Sequence, residues 1–181
     1  MKHRMQVAVL LALSSGCAPA FAESPTAFTE LFATTCMANF YTPDKLREAM
    51  SASQALELPA DEARFFLIDR PGTAWGVRRG EDKYIVALVD GFCAVYAKRA
   101  PVEETQEAFE ALVSSAPEPL VATRTDDKEA GPNDDDLAST AYRWSRPEDA
   151  ESLVFTLTTS KSAKPVQAMA SVGIARKSAT K

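Results

Sequence analysis

Acid–base and metal chemistry in proteins draws first on histidine, and this 181-residue chain has only His3. That residue stands in the opening MKHRMQVAVLLALSSGCAPAFAESP. Lys2, His3 and Arg4 precede an apolar run from Val7 to Leu13, and small residues then lead to Ala20-Phe21-Ala22. A basic start, a short apolar stretch and an Ala-x-Ala site are the three parts of a secretory signal. The run is too short to span a bilayer as a helix. Cleavage after Ala22 is expected, which leaves a mature chain without histidine. Such a chain cannot build Ser-His-Asp or Cys-His nucleophilic sites, nor the usual zinc ligand sets. The sequence also lacks a Walker-type phosphate loop, a Gly-x-Gly-x-x-Gly turn and a Gly-x-Ser-x-Gly elbow. No cofactor and no metal site are expected.

Carboxylates remain. Glu103/Glu107 and Asp61/Glu62 are pairs that could share acid–base work of the glycosidase kind, although their helical settings look solvated. Asp90, before a glycine, reads more simply as a turn former. The segment 126–136 concentrates Asp126, Asp127, Glu129, Asp134, Asp135 and Asp136 against one lysine. It lacks the alternating order of an EF-hand loop. It reads either as a solvated connection or as a negative face for a basic protein partner. Tyr142 and Trp144 fall on one side of a strand pattern and, with Trp75, make either an aromatic binding platform or part of the core.

Removing residues 1–22 takes away two of the 20 basic residues and none of the 25 acidic ones, so the net charge of −5 becomes −7. That balance argues against nucleic acid or anionic lipid as partners. A lipoprotein signal is the alternative for the N-terminus, with Cys17 as the lipid-bearing residue after Ser14-Ser15-Gly16. Ser14 stands where that motif usually has leucine. A lipid there would anchor the protein without making it span the membrane.

Two cysteines remain in the mature chain, Cys36 and Cys93. In an oxidising compartment an even pair reads first as a disulfide; without Cys-x-x-Cys spacing a redox site is the weaker alternative. Ser24 and Pro25 are expected to cap and open a first helix, with Phe28, Leu31, Phe32 and Cys36 facing inward. In DGFCAVYA, alternation places Cys93, Val95 and Ala97 on one strand face and Phe92, Ala94 and Tyr96 on the other. Both faces are apolar, so this strand is expected to be central and covered on both sides. The pair would then staple helix to sheet.

The elements that must hold these residues follow from periodicity. Thr42-Pro43-Asp44 opens a second helix through Leu46, Ala49 and Met50, and LPADEARFFLID gives a further helical turn or two before Arg70-Pro71-Gly72. Thr73 to Val77, Lys83 to Val89 and Phe92 to Ala97 read as strands, with turns at 78–82 and at Asp90-Gly91. Pro101 opens a helix with Glu103 and Glu104 in its first turn and Val102, Phe109, Leu112 and Val113 inward; Pro117 and Pro119 end it. Strands are then expected at Leu120 to Thr125, Ser139 to Ser145, Ser152 to Thr159 and Val166 to Ala175, joined as an antiparallel meander. The whole is an α+β domain over 23–176, with helices on a mostly antiparallel sheet of about six or seven strands, and 177–181 as a frayed tail.

At GTAWGVRRGEDKYIVALVDGFCAVYAKRA the sequence resembles a group of uncharacterised proteobacterial envelope proteins and lipoproteins. The residues that carry the likeness are Cys36, Gly72, Ala74, Trp75, Asp90, Gly91, Cys93, Ala94 and Val95, and it covers about residues 28 to 115. The resemblance implies an exported small domain with a helix-to-strand disulfide and no assigned activity. The expectation is therefore a non-enzymatic protein of the periplasm or cell envelope that binds another protein through its sheet or its acidic segment. One specific form is an immunity protein against a basic toxin delivered to the periplasm. The alternatives are a small hydrolase working with Asp and Glu, and a structural envelope component.

Overall fold

The computed structural model describes residues 26–125, 136–162 and 165–176. The chain runs α1 (Ala27–Phe32), a π-helical turn (Ala33–Met37), α2 (Pro43–Ala52), β1 (Leu56–Glu57), α3 (Ala60–Leu67), β2 (Gly72–Arg79), β3 (Asp82–Val89), β4 (Phe92–Ala97), α4 (Val102–Val113), β5 (Val121–Arg124), β6 (Leu137–Ser145), β7 (Glu151–Ser160) and β8 (Ala168–Arg176). The strands form one antiparallel sheet in the order β1-β2-β3-β4-β8-β7-β6-β5. The expected α+β class is therefore found, with eight strands instead of six or seven. The unexpected strand is β1. Its two residues are both exposed, so it carries no alternation of burial by which to read it.

Short turns fix the register of the first three long strands. Gly91, at φ +67°, follows Asp90 in the two-residue link between β3 and β4. A second such link, Gly80-Glu81 with Gly80 at φ +61°, joins β2 to β3 and lengthens both beyond the expected strand ends. Glycine adopts these left-handed angles without the steric penalty of a Cβ.

One face of the sheet carries Trp75, Val86, Cys93, Val95, Phe155, Leu157 and Val172 under α1, α2 and α4. Phe32 of α1 meets Phe109 of α4 at 6.1 Å, and Phe28 meets Tyr84 of β3 at 6.3 Å. The cap of α1 is Thr26, whose Oγ1 accepts from the Thr29 N–H at 3.3 Å. The expected cap Ser24 lies outside the described residues. Thr34 and Thr35 turn their hydroxyls back onto the carbonyls of Glu30 and Leu31, a local bonding that bends helices, and the π turn sits there. Within it Cys36 is fully buried and bonded to Cys93, so the expected bridge is present, with 57 residues of sequence separation.

The opposite face is smaller in scope. Ala63 and Leu67 of α3 pack with Ala74, Ala87, Val89, Ala94 and Tyr96. Strand β4 is thus central and apolar on both faces, as its sequence indicates.

On α4 the inward stripe consists of Thr105, Phe109 and Val113, while Val102 and Leu112 are half-buried. Thr105 breaks the apolar pattern, and its hydroxyl oxygen has no hydrogen-bond partner although the residue is fully buried. A buried hydroxyl left unpaired costs about 1–3 kcal/mol, whereas an apolar group of the same shape does not. Thr105→Val is therefore expected to raise stability by about 1 kcal/mol, or about 2–4 °C in Tm for a domain of this size. Calorimetry checks it, and a fall in Tm would show that the hydroxyl is satisfied by water.

Candidate functional site

Four consecutive apolar residues, Phe65-Phe66-Leu67-Ile68, close α3. A helix advances 100° per residue, so four in a row cannot all face the sheet. Leu67 is buried, and Phe66 stacks edge-on against Tyr96 at 5.1 Å between ring centroids. Phe65 and Ile68 are left outward, 66% and 62% exposed, three residues apart and so adjacent on the helix surface.

Ile68 is also conformationally costly. It forms the C-cap of α3 in the left-handed region, at φ 53° and ψ 47°. That conformation suits glycine and disfavours a β-branched residue by about 1–2 kcal/mol. Asp69 follows at φ 54°. An exposed isoleucine held in a glycine conformation contributes neither burial nor ease of turning. Ile68→Gly is thus expected to stabilise the fold by about 1 kcal/mol, after allowing for the greater chain entropy of glycine. A urea titration with unchanged slope measures this; a loss of stability would mean that Ile68 is held by packing.

These two side chains form one wall of a groove of about 230 Å³ whose other contributors include Tyr96, Leu137, Val166 and Met169. The hydroxyl of Tyr96 donates to the Phe66 carbonyl at 2.9 Å, tying β4 to the wall. Burial pushes its pKa up to about 12, so it remains a donor at ordinary pH.

Register sets three rows across this face of the sheet: Tyr96, Met169, Thr158, Ser139; then Ala94, Ser171, Thr156, Ala141; then Phe92, Gly173, Val154, Arg143. Of these Tyr96, Met169 and Thr158 line the groove, while Ala94, Ser139, Ala141 and Ser171 are buried. Helix α3 packs on β2 and β3, whereas the helices resting on β7 and β8 are α4 and α1, on the other face. The half of this face formed by β8, β7 and β6 therefore carries small and hydroxyl side chains beside an apolar wall.

The carboxylates read from sequence do not converge. Asp61 and Glu62 are exposed in the first turn of α3, and Glu103 and Glu107 are exposed on α4. Asp90 is the expected turn residue; its carbonyl accepts from Arg70 Nη2 at 2.8 Å. Of the acidic segment only Asp136 is described, its carboxylate accepting from Ser162 Oγ at 2.9 Å. Asp126, Asp127, Glu129, Asp134 and Asp135 lie outside the described residues, as do Cys17 and 177–181. Among the described residues, no three His, Cys, Asp or Glu side chains are grouped as a metal site would require.

Of the two readings of the aromatic residues, platform or core, the second is found. Trp75, Tyr142 and Trp144 are buried in the helix-covered core, away from the groove. Trp144 Nε1 donates to the Val113 carbonyl at 2.7 Å, and its ring lies 4.4 Å from that of Phe155. The outward residues that alternation did not single out are Phe65 and Ile68, and the signal that reveals them is the unbroken apolar run itself. No protein-family model, no curated protein and no solved structure matches the chain.

Proposed function

We propose that this is an exported protein of the cell envelope that binds another protein and catalyses no reaction. The contact surface is the groove beside α3. The observation that carries this reading is the pair Phe65 and Ile68: large apolar side chains held outward, one at a conformational cost, as one wall of the groove. Exposed apolar clusters of this kind, framed by polar groups, are what protein contacts use.

The net charge of −5 makes a basic partner the better match, and an inhibitor of a basic toxin delivered to the periplasm is one specific form. The compartment rests on the signal-like N-terminus and on the buried Cys36–Cys93 bridge, which an oxidising environment maintains. Among the described residues no helix is long and apolar enough to cross a membrane. Attachment through Cys17, and membership of the envelope group that the Gly-x-Ala-Trp and Asp-Gly-x-Cys-Ala-Val motifs resemble, belong to the same proposal.

The test places a photo-crosslinking residue at position 65 and, as control, at the exposed position 121 on the far edge strand. A discrete adduct from 65, suppressed by excess unmodified protein and absent from 121, is the expected result. Equal labelling from both positions would sink the reading.

A further inference from the structure

We propose a second binding site, independent of the groove, for a neutral oligosaccharide, with the ring of Tyr41 at its centre.

The site lies where the helical cover ends. The groove touches β8 at Ala168 and Met169, near the start of that strand. Toward the other end, burial falls from Val172, fully buried, to Ile174, 43% exposed two residues on and on the same face. Register places Ile174 beside Leu153, and Leu153 beside Trp144, as the last row of the helix-covered face. Tyr41, in the link between the π turn and α2, is 75% exposed. Together with Ile174 it lines two clefts. One, of about 380 Å³, runs past Leu120, Leu153 and the turn between β6 and β7; the other, of about 530 Å³, lies against Phe40, Phe92 and the Asp90-Gly91 turn. Both fall within the size of small-ligand sites, about 300–1,000 Å³. Two clefts meeting at one ring suit a chain of linked units.

The ring supplies the apolar contact. Phe40 packs on the main core and meets Tyr41 nearly at right angles, 83° and 5.2 Å between centroids, which props the exposed ring. An aromatic face is electron-rich, and the C–H bonds on the flat side of a pyranose lie against it favourably. The phenol pKa is raised, first by desolvation and then by the Glu151 and Asp149 carboxylates, so at ordinary pH the hydroxyl is a hydrogen-bond donor.

Charge decides the class of ligand. Five charged side chains line the two clefts: Arg47, Asp90, Arg146, Asp149 and Glu151. Four of them have ionic partners within the chain. Arg146 holds Asp149 through Nη2 at 2.8 Å and Nε at 3.1 Å, and comes within 3.7 Å of Glu148. Glu151 pairs with Arg176 at 2.9 Å, and Arg47 with Asp44 at 2.8 Å. The fifth, Asp90, is exposed at its turn, where Arg70 bonds its carbonyl. A charged ligand must compete with these pairs, whereas hydroxyls join them. Carboxylates accept from neighbouring hydroxyls, and guanidinium groups donate to them. A neutral ligand with an apolar face and many hydroxyls is a sugar.

The test titrates the whole mature chain with two neutral tetrasaccharides, cellotetraose and the tetramer of N-acetylglucosamine, followed by amide chemical shifts. The comparators are tetragalacturonate, an anion, and tetraglucosamine, a cation. Saturable shifts centred on Tyr41, Gly91, Glu151 and Ile174 are expected with a neutral probe, at about fivefold higher affinity than either comparator. Tyr41→Ala should weaken binding about tenfold, and Tyr41→Phe, which keeps the ring, only about twofold. Circular dichroism verifies that both variants keep the fold. Tighter binding of a charged tetramer would overturn the neutral class, and shifts centred on Phe65 and Met169 would overturn the place. Absence of saturable shifts with both neutral probes, or affinity indifferent to Tyr41→Ala, would overturn the site. Crosslinking from position 65 reports on the groove and stands or falls separately.

Discussion

A Cys36→Ala, Cys93→Ala double variant is expected to lose about 4 kcal/mol of folding stability. The magnitude comes from the loop that the bridge closes, 57 residues in sequence separation. In the chain-entropy description, cross-linking a loop of that length removes about 4 kcal/mol of freedom from the unfolded chain. The bridge also joins the helical layer to β4, which lies at the middle of the sheet. Both sulfurs are fully buried, so their removal opens a small void in the core as well. The fall in Tm should be on the order of 10 °C, at the scale of about 2–4 °C per kcal/mol for a domain of this length. Calorimetry of the oxidised wild type and the double variant provides the measurement. A loss below about 1 kcal/mol would mean that helix packing alone fixes α1. Thiol labelling supplies the companion check, because neither sulfur should react, even in denaturant, until a reductant breaks the bridge.

What could be read from the sequence, and what could not, divides by the range of the interaction. Asp90-Gly91 announces its turn because the backbone angle is local, and Cys93 announces a covered strand because both alternating faces are apolar. Pairing Cys36 with it needed only that both residues point inward. By contrast, β1 exists because Leu56 and Glu57 happen to lie along β2, and nothing in two exposed residues records that. The placement of α3 over β2 and β3 is equally non-local, yet it decides where Phe65 and Ile68 meet the groove. Phe65 lay between these cases: the run Phe65-Phe66-Leu67-Ile68 shows that something must face outward, while the groove it borders appears only once β8 and β7 are beside it. Tyr142 and Trp144 share a face in both readings. Alternation shows that two residues point the same way, but which face a helix covers depends on where α4 packs.

Trp144→Ala should accordingly cost about 3–5 kcal/mol and leave partner crosslinking from position 65 unchanged. The ring is 9% exposed and tilted against Phe155, so truncation leaves a large cavity between β6, β7 and α4. Its Nε1 also serves the end of a helix: Val113 is the last residue of α4, where carbonyls lack intrahelical partners, and the indole N–H fills that need at 2.7 Å. Trp144→Phe separates the two contributions. It keeps most of the volume and removes the donor, and should cost about 1–3 kcal/mol for the buried carbonyl left alone. Position in the sheet predicts the binding result. Trp144 lies on the face covered by α1 and α4, whereas Met169, Thr158 and Phe65 form the groove on the other. Denaturant titrations of both variants, paired with crosslinking from position 65 under conditions where each remains folded, measure both effects. Preserved stability with lost crosslinking would return Trp144 to the aromatic platform and move the contact surface to the opposite face of the sheet.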